Sequence, residues 1–111
     1  MTALTRKRGD TWPDEITVRD VATLMPMNIT NCTFLMTLDP EKAPLTSANN
    51  LYQVVGVITD ATTGRVDFAP TVLQASQTPK SYYYDIQMTD ALGRKLTIAL
   101  DKYKFEQDIT K

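Results

Sequence analysis

Polar and apolar residues alternate with a period of two through most of this 111-residue chain, and that alternation is what constrains its fold most tightly. A helix returns a side chain to the same face every third or fourth residue, whereas a strand does so every second one. In YYYDIQMTD, Tyr82, Tyr84, Ile86 and Met88 share one face, while Tyr83, Asp85, Gln87 and Thr89 share the other. The three adjacent tyrosines therefore divide: Tyr82 and Tyr84 belong to a core, and Tyr83 is left for the solvent side. DALG, Asp90 to Gly93, follows with an Asp to open a turn and a Gly free to take positive φ, which predicts a hairpin. On the return, Lys95, Thr97 and Ala99 alternate with Leu96, Ile98 and Leu100. After Asp101 a third strand is expected, with Tyr103 and Phe105 set against Lys104 and Glu106, so the last thirty residues read as a three-stranded antiparallel meander.

The same pattern recurs upstream at the spacing of an all-β sandwich. DEITVRD sets Ile16 and Val18 inward, and CTFLMTL does the same with Cys32, Phe34, Met36 and Leu38. YQVVGVITD is β-rich, and Gly56 within it marks a bulge or a close backbone approach. ATTG turns the chain into RVDF, with Val66 and Phe68 inward. Asp39 to Asn50 reads as a long loop with room for a single helical turn, and Pro70 to Lys80 as a short helix or extended crossover capping one end of a sandwich. The expectation is one β-sandwich domain over residues 1–111 with about six or seven strands. Residues 1–9, with the cations Arg6 to Arg8, are expected to form a flexible N-terminal arm.

Charge and residue inventory then exclude several functions. Lys plus Arg is 12 and Asp plus Glu is 13, a net charge of −1 with both signs scattered, so no nucleic-acid or anionic-lipid footprint exists. The chain has no histidine and one cysteine, which removes imidazole bases, Cys–His or Ser–His pairs and a zinc site; no cofactor or metal is expected. Cys32 enters an apolar strand and reads as a small buried hydrophobe. No apolar run reaches the ~20 residues of a membrane helix, and the charges of MTALTRKRGD follow a very short apolar start, the reverse of a signal peptide. The Asp residues at 60, 67, 85, 90 and 101 sit at strand ends or outward positions, where turn chemistry and solvation explain them better than a glycosidase pair. RGD at Arg8 to Asp10 precedes the first strand and reads as a bend at Gly9. Trp12 and Tyr83 are the aromatic side chains left for a protein interface or a glycan contact.

The order of these words resembles a family: the short all-β structural proteins of tailed bacteriophages, and among them the immunoglobulin-like N-terminal domain of phage upper baseplate proteins. The resemblance runs through RGDTW (Arg8 to Trp12), PMNITNCTFLMTL (Pro26 to Leu38), a turn ending in Gly64 with RVDF, YYYDIQMTDALGRKLTIA, and a closing DIT at Asp108 to Thr110. The chain departs from it at Pro79 to Ser81 and at Asp101 and Lys102, where the family commonly carries Gly. The resemblance implies an immunoglobulin-like antiparallel β-sandwich and a non-enzymatic virion protein, made in the host cytoplasm and placed at the tail baseplate or tail-fibre attachment. Its implied partners are other phage structural proteins, met in symmetric multi-copy assembly. It further implies structural roles: Trp12 as an anchor at the start of the first strand, Tyr84 as a core tyrosine, and Gly64 and Gly93 as turn formers. Two rival expectations are a head decoration or head-completion protein and a carbohydrate-binding module that recognises the host surface.

Overall fold

A computed structural model describes residues 3–20, 22–41 and 50–107. Most of the expected Asp39 to Asn50 loop and the closing Asp108 to Thr110 lie outside the described residues. Among the described residues eight strands form: β1 (Leu4–Lys7), β2 (Asp14–Thr17), β3 (Thr33–Asp39), β4 (Tyr52–Val55), β5 (Val57–Asp60), β6 (Arg65–Phe68), β7 (Lys80–Thr89) and β8 (Lys95–Glu106). A single-turn helix, α1 (Val72–Ala75), lies between β6 and β7, closed by a capping box in which Thr71 and Gln74 satisfy each other's backbone N–H.

The strands build two sheets, one in the order β1-β8-β7-β3-β4 and one in the order β2-β6-β5. Labelled A to G from β1, the second sheet is B-E-D and the first carries G-F-C-C′, the strand order of a variable-type immunoglobulin sandwich without C″. Every named pairing is antiparallel except β1 with β8, which is parallel from Leu4 opposite Tyr103 to Lys7 opposite Glu106. A second hallmark of the fold is local. The Tyr82 hydroxyl, near the start of β7, donates to the Thr78 carbonyl at 2.7 Å, the bond of a tyrosine corner.

The core follows the alternation. Tyr82, Tyr84, Ile86 and Met88 of β7 are buried and Tyr83 is half-buried on the outer face, as the pattern requires. Phe34, Met36 and Leu38 from β3 meet Val66 and Phe68 from the opposite sheet. With no second cysteine for an inter-sheet disulfide, aromatic rings fill the centre: Tyr103 stacks on Phe105 at 5.1 Å and meets Tyr84 edge-on at 6.0 Å. Such pairs add about 0.5–1.5 kcal/mol beyond the area they bury.

Two expectations are corrected. Residues 4–7 are not a flexible arm but a strand, held in the β8 ladder and by a buried Arg6 side chain. The two expected C-terminal strands are one, because β8 runs unbroken through Asp101. It also carries a register shift opposite Ile86 and Gln87, where Ile98 is the extra residue. The bulge moves the inward phase onto Ala99, which is buried, and leaves Leu100 exposed. Gly56, by contrast, does what the sequence requires: the chain leaves the larger sheet at Val55 and joins the smaller at Val57. A Cβ on Gly56 would lie 2.7 Å from Val66 Cγ1 and 2.9 Å from Phe34 Cβ. Only glycine lets the corner pack this closely.

Candidate interaction edge

β1 is short, and that brevity shapes the surface. It covers β8 only from Tyr103 to Glu106, so the β8 edge from Lys95 to Lys102 has no neighbouring strand among the described residues. Across the sandwich, β2 is likewise an edge strand. Between these two edges the sheets part into a cleft of about 590 Å³. Its walls are apolar, formed by Leu4, Ile16, Val18, Leu24, Tyr84 and Ile98, and its rim is Glu15, Thr17, Arg19 and Asp20.

A polar clamp joins the two sheets through β1. Arg6 Nε donates to the Tyr103 hydroxyl at 2.7 Å, the guanidinium pairs with Asp14 Oδ2 at 3.0 Å, and the Tyr103 hydroxyl donates to the same carboxylate oxygen. A further guanidinium N–H donates to the Asp10 carbonyl at 2.7 Å. Arg6 lies on β1, Tyr103 on β8 and Asp14 on β2, so the cluster bridges the two sheets. Burial opposes the Arg6 charge, but the bonds to Tyr103 and the charge of Asp14 outweigh it and hold its pKa above the ordinary value. Burial first, and then the Asp14 carboxylate, push the Tyr103 and Tyr52 hydroxyls well above the usual tyrosine range. Tyr84 is pushed up to about 12 by burial and by the charges of Asp101 and Asp14. Arg6, Asp14 and Tyr103 are bonded to one another and serve structure.

The rim charges are partnered too. Glu15 pairs with Arg65 at 2.9 Å. An Arg19 guanidinium N–H donates to the Leu24 carbonyl at 3.2 Å, and Asp20 Oδ1 accepts from the backbone N–H groups of Ala22 and Thr23. Those bonds fold the loop after β2 so that Leu24 takes a φ of 60° and stands against the cleft. A leucine in the left-handed region is held there by its surroundings.

The residues singled out from sequence fall as follows. Trp12, in the β1–β2 connection, is 78% exposed, which overturns the implied role of a packed anchor. Tyr83 sits on the outside of the larger sheet, opposite Asp39 on β3 and Lys102 on β8. Trp12 lies in a connection between the sheets and Tyr83 on a sheet face, and neither lines the cleft. Tyr84 is buried as expected. Gly64, at φ +73°, is packed so closely that a Cβ would meet the Val18 carbonyl oxygen at 2.5 Å; Gly93, at φ +82°, turns the β7–β8 hairpin. Gly9, at φ +91°, makes the bend within RGD. Asp60 and Asp90 bond their own turns, and those bonds lower both carboxyl pKa values. Burial raises the Cys32 thiol, which disfavours the reactive thiolate. The clamp was not visible in sequence. In LTRK the inward position is Arg6, so a strand with a buried cation reads as a polar tail.

No family model and no curated protein matches the sequence. The fold is shared with the N-terminal domain of phage TP901-1 ORF48, at a TM-score of 0.60 and 15% sequence identity, over 95% of this chain and 85% of that one. At that identity the likeness concerns the fold.

Proposed function

We propose that this chain is a non-enzymatic structural protein of a tailed-phage particle, placed at the tail baseplate or at tail-fibre attachment. It acts through contacts with other phage structural proteins, in symmetric copies. The observation that carries the reading is the fold shared with the phage domain along nearly the whole chain. The sequence words RGDTW, PMNIT and YYYDIQMTDALG support the same assignment through their resemblance to phage baseplate domains. Two features of the structure fit a protein whose work is contact. The buried ionisable groups Arg6, Asp14 and Tyr103 bond to one another, and the cleft between the edges is walled by apolar side chains.

The test is quantitative mass spectrometry of gradient-purified particles with heads and tails separated. A low, fixed copy number in the tail fraction is expected. High abundance with heads would overturn the tail placement in favour of a decoration protein, and absence from both fractions would overturn the virion assignment.

A further inference from the structure

We propose that the outer edge of β2 captures an extended segment of another polypeptide as an added strand, one whose inward side chains are apolar and uncharged. This deepens the protein-contact reading above and rests on it for the class of partner.

Backbone geometry comes first. Val18 N–H donates to the Gly64 carbonyl at 2.8 Å and the Val18 carbonyl accepts from Met27, so the backbone groups of Val18 face the β6 side. Asp20 N–H donates to Met25 on that side as well. Backbone groups alternate in direction along a strand, so those of Glu15, Thr17 and Arg19 face outward, and among the described residues they meet no strand. The constant-type immunoglobulin layout places an A strand beside B at this position; here β1 has joined the other sheet. An unpaired edge is a template that a further strand satisfies.

Side-chain chemistry sets what that strand carries. Residues 15 to 20 all line the cleft, a run of about 20 Å at roughly 3.3 Å per residue. Alternate side chains of an added strand would enter the apolar wall formed by Leu4, Ile98 and Tyr84. The rim carries both signs in balance: Glu15 pairs with Arg65, and Arg19 and Asp20, one of each sign, are held by backbone groups of the Leu24 loop. A charged inward residue would lose hydration against the wall of Leu4, Ile98 and Tyr84, which carries no charge to offset it. The complementary segment is therefore electrically neutral on its inner face.

The experiment uses the full chain and two displayed decapeptide libraries, one with Val, Ile, Leu or Phe at alternate positions and one with the same composition scrambled. The alternating library is expected to be enriched, and the selected peptides are expected to slow amide exchange at Glu15, Thr17 and Arg19. Thr17→Pro removes an outward N–H without touching the β6 ladder and should weaken binding about tenfold. Leu24→Asp, at an exposed position, charges the cleft wall and should weaken it as well. Equal enrichment of both libraries, binding unaffected by either variant, or protection at other amides would overturn the proposal. So would protection of these three amides in the protein alone, concentration-dependent for a second copy and concentration-independent for its own chain. Strand capture by a protein absent from phage particles would contradict the virion reading and leave the edge intact; a virion protein that captures no strand would do the reverse.

Discussion

Leu24 holds a φ of 60° with its side chain 69% exposed, so it bears backbone strain with little packing in return. Leu24→Gly should therefore raise stability by about 1 kcal/mol, read as a higher urea midpoint at unchanged slope. Gly56 is the opposite case. Its φ needs no glycine, but a Cβ would come within 2.9 Å of Phe34 Cβ, Phe68 Cε1 and, at 2.7 Å, Val66 Cγ1. Gly56→Ala should cost about 1–3 kcal/mol by overpacking the point where the chain changes sheets. The two residues differ in legibility for that reason. A glycine inside a β-rich run announces a close approach, whereas nothing in TLMPM announces that Leu24 will take a left-handed turn, because Asp20's bonds to Ala22 and Thr23 impose it.

Among the elements, β1 depends on its clamp more than on its ladder. It is four residues long, lies at an edge and pairs in parallel, so the Arg6 contacts to Tyr103 and Asp14 are what fix it across both sheets. Arg6→Ala leaves a nearly buried carboxylate without its counter-ion and should cost about 3 kcal/mol. Removing Asp14 as well should cost less than the sum of the two single changes, the signature of a coupled pair in a double-mutant cycle. β8 shows why pattern reading fails at one place and succeeds at the next. Tyr103 and Phe105 are inward as alternation demands, but the extra residue at Ile98 shifts the phase, so Ala99 is buried where Leu100 was the better hydrophobe. A bulge is a tertiary compromise between β7 and β8, and neither strand's sequence records it. The hairpin before it was legible because Asp90 and Gly93 are the residue types its geometry needs; Asp90 accepts from the N–H groups of Leu92 and Arg94.

At the scale of the whole molecule, buried tyrosines make stability depend on alkaline pH. Burial holds Tyr52, Tyr84 and Tyr103 protonated in the folded state above the pH at which the unfolded chain releases those protons. The native state then binds more protons than the unfolded one, so stability is intact below about pH 10 and falls as pH rises through the folded values, about 12 for Tyr84. A lower denaturation midpoint at about pH 11 than at about pH 9 is the expected result, and equal midpoints would contradict it. The two-sheet sandwich was legible in sequence because its burial alternates strand by strand. The open edge was not, because it arises from which sheet β1 joins, and LTRK shows an apolar residue only at Leu4. That edge is where fold and function meet in this account, and site-resolved amide hydrogen exchange along β2 in the free protein tests it most directly. Alternation is the predicted result: slow exchange at Ile16 and Val18, bonded toward β6, and fast exchange at Glu15, Thr17 and Arg19. Uniform protection of all five would mean that β2 is already paired on both sides, and would contradict the open edge.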